Sequence, residues 1–243
     1  MWKRLLRAVI PRSWLDARHR RAAARADRAF EGKPPAEIFE AVYRERVWGG
    51  SERNDFYSGE GSHDPSVVAP YVAAVTEFLR SLPAPPRAVD LGCGDFNVGS
   101  QLRPHCSEYV ACDIVPSLIE RNRRVFADRR VEFRALDMSA EPLPAGDVVF
   151  LRQVLQHMSN EQIARVLPKL AQYRWAVITE HVPSHSGFAP NFEKPPGPGI
   201  RVARGSGIVL SAPPFSFRAR AERELCAIRN ERDTIRTVLY ELG

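Results

Sequence analysis

The residues best placed to do chemistry lie at the ends of short apolar runs. Asp90-Leu91-Gly92-Cys93-Gly94 closes one run with two glycines, Asp113 ends the next one 21 residues after Gly92, Asp137-Met138 follows a third, and Glu180-His181 ends a later one. A glycine turn between a strand and a helix lets the backbone approach a ligand closely, and an acid at the end of the following strand has the spacing that meets a ribose diol. His157, in Arg152-Gln153-Val154-Leu155-Gln156-His157-Met158, and His181 can exchange a proton near neutrality. For transfer to a hydroxyl these two are the candidate general bases, with Glu180 to orient one of them or to hydrogen-bond a polyol. The plainer alternative for each is a packed or solvated loop residue.

Dinucleotide binding is the first competitor, and it requires Gly-x-Gly-x-x-Gly. Asn97 stands where the third glycine is needed, which leaves no pyrophosphate cradle. A ligand with ribose and adenine but no phosphate is S-adenosylmethionine. At these residues the chain resembles the class I S-adenosylmethionine-dependent methyltransferases, from about Arg87 to His181. The resemblance implies Gly92, Cys93 and Gly94 against the methionine moiety with Asp90 near its ammonium, and Asp113, followed by Ile114, on the ribose. It implies Asp137 on the adenine amino group, Met138 against the ring, and Arg152 at the cofactor edge of the segment with the Leu-x-His core. Phe96 stands where many members carry another glycine, so it is expected to narrow or stack on the methionine side. The wider layout resembles bacterial methyltransferases of polysaccharide biosynthesis or secondary metabolism.

These residues need a scaffold, and the alternation of β-rich runs with helical stretches from Arg87 onward predicts a parallel sheet covered by helices. Strands are expected over Ala88–Leu91, Glu108–Cys112, Phe133–Leu136, Asp147–Leu151 and Trp175–His181. Asn97 is expected to cap a helix reaching about Arg103, and Ser159 to cap the helix after Met158. Glu224–Arg229 and Thr234–Leu242 make a closing hairpin, giving the Rossmann-like order 3-2-1-4-5-7-6 of the resembled fold with strand 7 antiparallel. The stretch 183–217, rich in Pro, Gly and Ser, is expected to be a lid or binding surface, with Asn191, Lys194, Arg201 and Arg204 as donors for a polyhydroxylated or anionic acceptor. Ala212-Pro213-Pro214-Phe215 lacks the acid or amide of an amino-methyltransferase motif and does not follow the fourth strand. Upstream, helices are expected over Glu37–Val47 and Pro65–Leu82, around a Gly-rich loop at Ser51–Asp64.

The chain divides in this reading into a basic arm (1–33), a helical lid on the substrate side (34–86) and a cofactor-binding core (87–243). Residues 1–33 hold ten Lys and Arg against three acids, whereas the other 210 residues carry 25 basic and 26 acidic groups. The charge therefore belongs to the arm, and the body offers no long groove for nucleic acid. Trp2, Leu5, Leu6 and Val9 fall on one face of a short basic helix, and a second Arg-rich helix is expected from Ser13 to about Phe30. That arm suits packing on the body or a partner, or peripheral contact with an anionic membrane through residues 1–30. RNA contact is the alternative that would make this an RNA methyltransferase, and a non-catalytic cofactor-binding module is another. Four scattered cysteines and no clustered histidines indicate neither zinc nor disulfides, so a cytoplasmic protein without a metal is expected, peripheral to the inner membrane face if the arm docks there. The acceptor is expected to be a small molecule or glycan methylated at a hydroxyl.

Overall fold

The computed structural model describes residues 30, 32–50, 56–230 and 233–243. The two helices expected between Trp2 and Phe30 therefore lie outside the described residues, apart from Phe30 itself. Five strands, with helical segments in every connection but that from β3 to β4, are β1 (Arg87–Leu91), β2 (Glu108–Asp113), β3 (Glu132–Ala135), β4 (Val148–Arg152) and β5 (Trp175–Pro183). A final hairpin adds β6 (Ala221–Arg229) and β7 (Asp233–Glu241). The sheet order is β3-β2-β1-β4-β5-β7-β6, parallel through β5, with β7 antiparallel to both of its neighbours. This is the expected Rossmann-like architecture.

Period-two alternation sorts the strand residues into two cores. Val89, Leu91, Val110, Cys112, Val149, Leu151, Ala176 and Ile178 face one side of the sheet. Ala88, Tyr109, Ala111, Val148, Phe150 and Val177 face the other. The second side is covered by the long helix α3 (Pro65–Ser81), which buries Val68, Tyr71, Val75, Phe78 and Leu79. Its start is set by Asp64, whose carboxylate accepts from the Ser66 amide at 2.8 Å, with Pro65 in the first turn, where its missing N–H is not needed.

Five further α-helices complete the described fold. Helix α1 (Pro35–Arg44) buries Ile38, Ala41, Val42 and Tyr43, and a single turn, α2 (Glu60–His63), precedes α3. After β1 comes a short α4 (Gly99–Leu102), after β2 comes α5 (Pro116–Val125), and after β4 comes α6 (Asn160–Val166). The Ser159 capping box forms as expected, its hydroxyl accepting from the Gln162 amide while the Gln162 side chain accepts from the Ser159 amide. Asn97 does not cap α4. Val98 occupies that position, and the Asn97 side chain instead donates from Nδ2 to the Ser62 carbonyl at 2.7 Å, tying the turn after β1 to α2. No helix among the described residues is long and apolar enough to cross a membrane.

Candidate functional site

A cavity of about 1360 Å³ opens at the carboxyl edge of the sheet, above β1, β2, β4 and β5. It exceeds the ~300–1,000 Å³ of an ordinary small-molecule pocket, so two ligands can share it. Its floor carries Gly92, Cys93, Gly94, Asp113, Ile114, Asp137, Met138, Arg152, His157 and His181, which brings together ten of the twelve residues expected to hold the cofactor or to supply or orient a base.

The glycine turn is held from below by Asp113. Its Oδ2 accepts from the Gly94 amide at 3.0 Å and its Oδ1 from the Val115 amide at 3.1 Å, while burial pushes its pKa up to about 6 against those N–H donors. Gly92 has φ +79°, and a Cβ there would lie 2.4 Å from Val154 Cγ2. Gly94, with φ +55°, is approached so closely that a Cβ would lie 2.5 Å from Ser58 Oγ. Both positions therefore need glycine for conformation and for space. Ser58 is fixed there by Tyr43 Oη at 3.0 Å and by the Asp95 amide, which donates to its hydroxyl at 2.9 Å. The segment 56–64 thus forms a strap across the turn, and Arg152, stacked over Tyr71, donates to the Gly61 carbonyl and to Ser62 Oγ to hold it down.

Donors and acceptors around this turn fit an amino-acid-bearing adenosine. Arg152 Nε and Gln153 Nε2 are buried without partners in the structure, and both residues belong to the cavity wall. They are donors of the kind a carboxylate takes. Asp137 Oδ1 accepts from the Ser139 amide at 2.8 Å and the Ser139 hydroxyl at 2.7 Å, which orients the carboxyl beside Met138.

Two expected site residues lie elsewhere. Asp90 is the penultimate residue of β1, so its side chain follows Ala88 onto the helix-covered face, where Tyr109 Oη donates to its Oδ2 at 3.0 Å. Burial pushes its pKa up to about 7, opposed chiefly by that hydroxyl. It does not border the large cavity. Glu180 points to the face opposite His181 and is 5% exposed. Its carboxylate accepts from the amides of Val154 at 3.1 Å, Leu155 at 2.8 Å and Gln156 at 3.1 Å. It neither orients a histidine nor faces an acceptor. Phe96 also stays out of the cavity, packing edge-on against Tyr109, Phe126 and Phe133 with φ +63°.

The long stretch 183–217 does line the cavity, through Pro183–His185 and residues between Pro198 and Gly205, but its expected donors turn away. Arg201 is 1% exposed and gives its guanidinium to the carbonyls of Phe192, Leu155, Gln156 and Met158 and to Asn160 Oδ1. Asn191 is spent on Val209, Ala212 and Pro213, Lys194 is buried and donates to the Pro195 carbonyl, and Arg204 lies over the Phe192 ring. Glu180 and Arg201 therefore clamp residues 154–158 from opposite polarities, one holding N–H groups and the other carbonyls. Burial pushes the Glu180 pKa up to about 8, while the Leu155 amide and the Arg201 charge pull it down.

The clamp places His157 in the wall. Its Nδ1 lies 3.2 Å from the Gly197 carbonyl and its ring 5.1 Å from that of Trp48, and burial drives its pKa down to about 3, so it is a neutral imidazole. His181, from β5, reaches the cavity with its Nδ1 buried and 3.9 Å from Asp233 Oδ2. Burial lowers its pKa too, and Asp233 opposes that shift. Asp233 and the aromatic wall of Phe39, Tyr43 and Trp48 escaped the sequence reading. The signal for Asp233 was available in the topology, because β7 runs antiparallel to β5 and its first residue must arrive at the edge where β5 ends, opposite Pro183.

Residues 89–173 match the family model for a methyltransferase domain, which bears out the resemblance for that segment. No curated protein matches the chain in sequence. Among solved structures, human N-acetylserotonin methyltransferase in complex with S-adenosylmethionine is 18% identical, over 96% of this chain and 68% of that one, with a TM-score of 0.58. The N-methyltransferase NodS from Bradyrhizobium japonicum, in complex with S-adenosylhomocysteine, is 13% identical over 84% and 99%, with a TM-score of 0.57. The N-terminal domain of EvdMO1, crystallised in the presence of S-adenosylhomocysteine and D-fucose, is 15% identical over 84% and 96%, with a TM-score of 0.54. The fold is that of the class I methyltransferases.

Proposed function

We propose that the chain transfers the methyl group of S-adenosylmethionine to a hydroxyl of a small-molecule or glycan acceptor, with a sugar hydroxyl as the favoured target. The observation that carries this reading is the single cavity in which the Asp113-braced glycine turn and Asp137 lie at one end of a floor that continues to His157, His181 and an aromatic wall. Asp113 would take the ribose hydroxyls, Asp137 and Met138 the adenine, and Arg152 with Gln153 the carboxylate of the amino-acid end. S-adenosylmethionine supplies an electrophilic methyl on a sulfonium sulfur. The chain's own task is to hold an acceptor oxygen in line with that methyl and to exclude water beneath the strap and the 183–217 loop. With an acceptor hydroxyl held there, the His181 imidazole would take its proton, and the Asp233 carboxylate beside it would stabilise the imidazolium.

The presence of D-fucose with the EvdMO1 domain agrees with a sugar acceptor. Incubation with S-adenosylmethionine carrying a deuterated methyl group and a library of glycosides and polyols, read by mass spectrometry, tests the reading. Labelled O-methyl ethers are expected. Label found only on amine acceptors would replace oxygen by nitrogen as the target, and no label on any acceptor by protein that binds the cofactor would favour a non-catalytic module. Residues 1–30 are proposed to act separately, as a peripheral contact with anionic membrane.

A further inference from the structure

The cavity has a chemical character that narrows the substrate, on the premise of the sugar-hydroxyl reading above. Its wall carries three carboxylates that the cofactor does not need, Glu60, Asp64 and Asp233. Asp233 opens β7 beside His181, and Glu60 and Asp64 belong to the strap and the start of α3. The lysine and arginine side chains among the described residues contribute one group to this wall, Arg152, whose terminal nitrogens hold Gly61 and Ser62 and whose Nε the cofactor reading assigns to the amino-acid carboxylate. Both wall histidines with shifted pKa values are held toward the neutral form by burial. Arg201 and Lys194, whose charges would have suited an anion, are buried behind the loop and do not border the cavity.

A diphosphate brings two or three negative charges and is held elsewhere in proteins by helix N-termini, arginine forks or metal ions. This wall opposes such a group with carboxylates. Hydroxyl-rich, uncharged rings match it instead. Carboxylates, Gln156 and Asn230 accept or donate to hydroxyls, and the aromatic rings of Phe39 and Trp48, 6.0 Å apart, offer a flat face to the C–H side of a pyranose.

We propose that the acceptor enters as an uncharged glycoside, so that methylation follows the glycosyl-transfer reaction that releases the nucleoside diphosphate and does not act on the nucleotide-activated sugar. The reaction that supplies this substrate is thus a glycosyl transfer, and the product is an O-methyl glycoside.

The test uses the full chain loaded with S-adenosylhomocysteine, whose binding is verified first, so that failure of the cofactor reading is seen separately. Imidazole proton signals of His157 and His181, assigned by single substitution, report occupancy of the cavity and are blind to anions collected by the basic arm. Uridine, thymidine and guanosine diphosphates and inorganic pyrophosphate are titrated to millimolar concentration, in parallel with a set of methyl glycosides and oligosaccharides. Saturable movement of both signals is expected with at least one glycoside and with none of the diphosphates. In Asp233→Asn, diphosphate affinity is expected to rise at least tenfold relative to wild type. Saturation of the wild-type signals by a diphosphate overturns the proposal, as does a set of glycosides that leaves both signals unmoved.

Discussion

Replacing Arg201 by Met removes the group that holds the carbonyl side of the segment carrying His157. Five acceptors lose a donor: the carbonyls of Leu155, Gln156, Met158 and Phe192, and Asn160 Oδ1. An unsatisfied buried acceptor costs about 1–3 kcal/mol, but the losses share one relaxing loop and do not add. Glu180, buried on the other side of the same segment, also loses a charge that lowers its pKa. Two such losses in full set the scale, and we take about 3–5 kcal/mol as the expected destabilisation. At roughly 2–4 °C per kcal/mol for a domain of this size, the melting temperature should fall by roughly 6–20 °C. Arg201→Lys keeps the charge but brings three donors in place of five, so about half that loss is expected. The assay is thermal and urea unfolding, with calorimetric titration of S-adenosylhomocysteine in parallel. Affinity should stay within about twofold of wild type, since Arg201 does not reach the cofactor end. A stability change below about 1 kcal/mol in Arg201→Met would refute the clamp, because the acceptors would then have other donors.

Further expectations follow from the same geometry. The form of Asp113 that accepts ribose hydroxyls is the carboxylate, and burial lifts its pKa to about 6, so cofactor affinity should fall as pH drops through that value, by about tenfold between pH 7 and 5. Calorimetry across that range checks it, and a flat profile would assign the ribose to another group. Gly92→Ala meets Val154 at 2.4 Å in a left-handed conformation and should lose about 1–3 kcal/mol of stability together with cofactor affinity, measured by unfolding and titration. His181→Ala should slow methyl transfer by about 100-fold or more. With the His181 pKa lowered and its neutral form the base, turnover should be constant above the ordinary histidine range and fall only at lower pH. Equal turnover in His181→Ala and wild type would remove the base.

What could be read in the sequence was local. The strand, glycine turn and next-strand acid are fixed by neighbouring residues, so β1, β2 and Asp113 were legible from apolar runs and their spacing, while the sheet order came from the resemblance these motifs carry. Glu180 and His181 show where that ends. A strand sends adjacent residues to opposite faces, and only the packed partners of β5 reveal that the histidine meets the cavity while the glutamate meets the amides of 154–156. Asp90, one residue before the end of β1, faces the helix-covered side for the same reason, in a small cavity it shares with Gly92, Cys93 and Arg152. The four donors of the long loop looked available because composition says nothing about which cations are consumed by backbone carbonyls inside an irregular segment. Asn97 had the chemistry of a cap, but Ser62 from the strap, 35 residues away, supplied the better-placed acceptor.

The central claim is that the Asp113-braced glycine turn binds S-adenosylmethionine, and calorimetric titration with S-adenosylhomocysteine of wild type and Asp113→Ala tests it most directly. Hydrogen bonds to a charged group are worth about 1.5–3 kcal/mol, so micromolar binding by the wild type should weaken by roughly 10- to 150-fold in the mutant. Absence of binding by folded wild type, or equal binding by both proteins, would contradict the account.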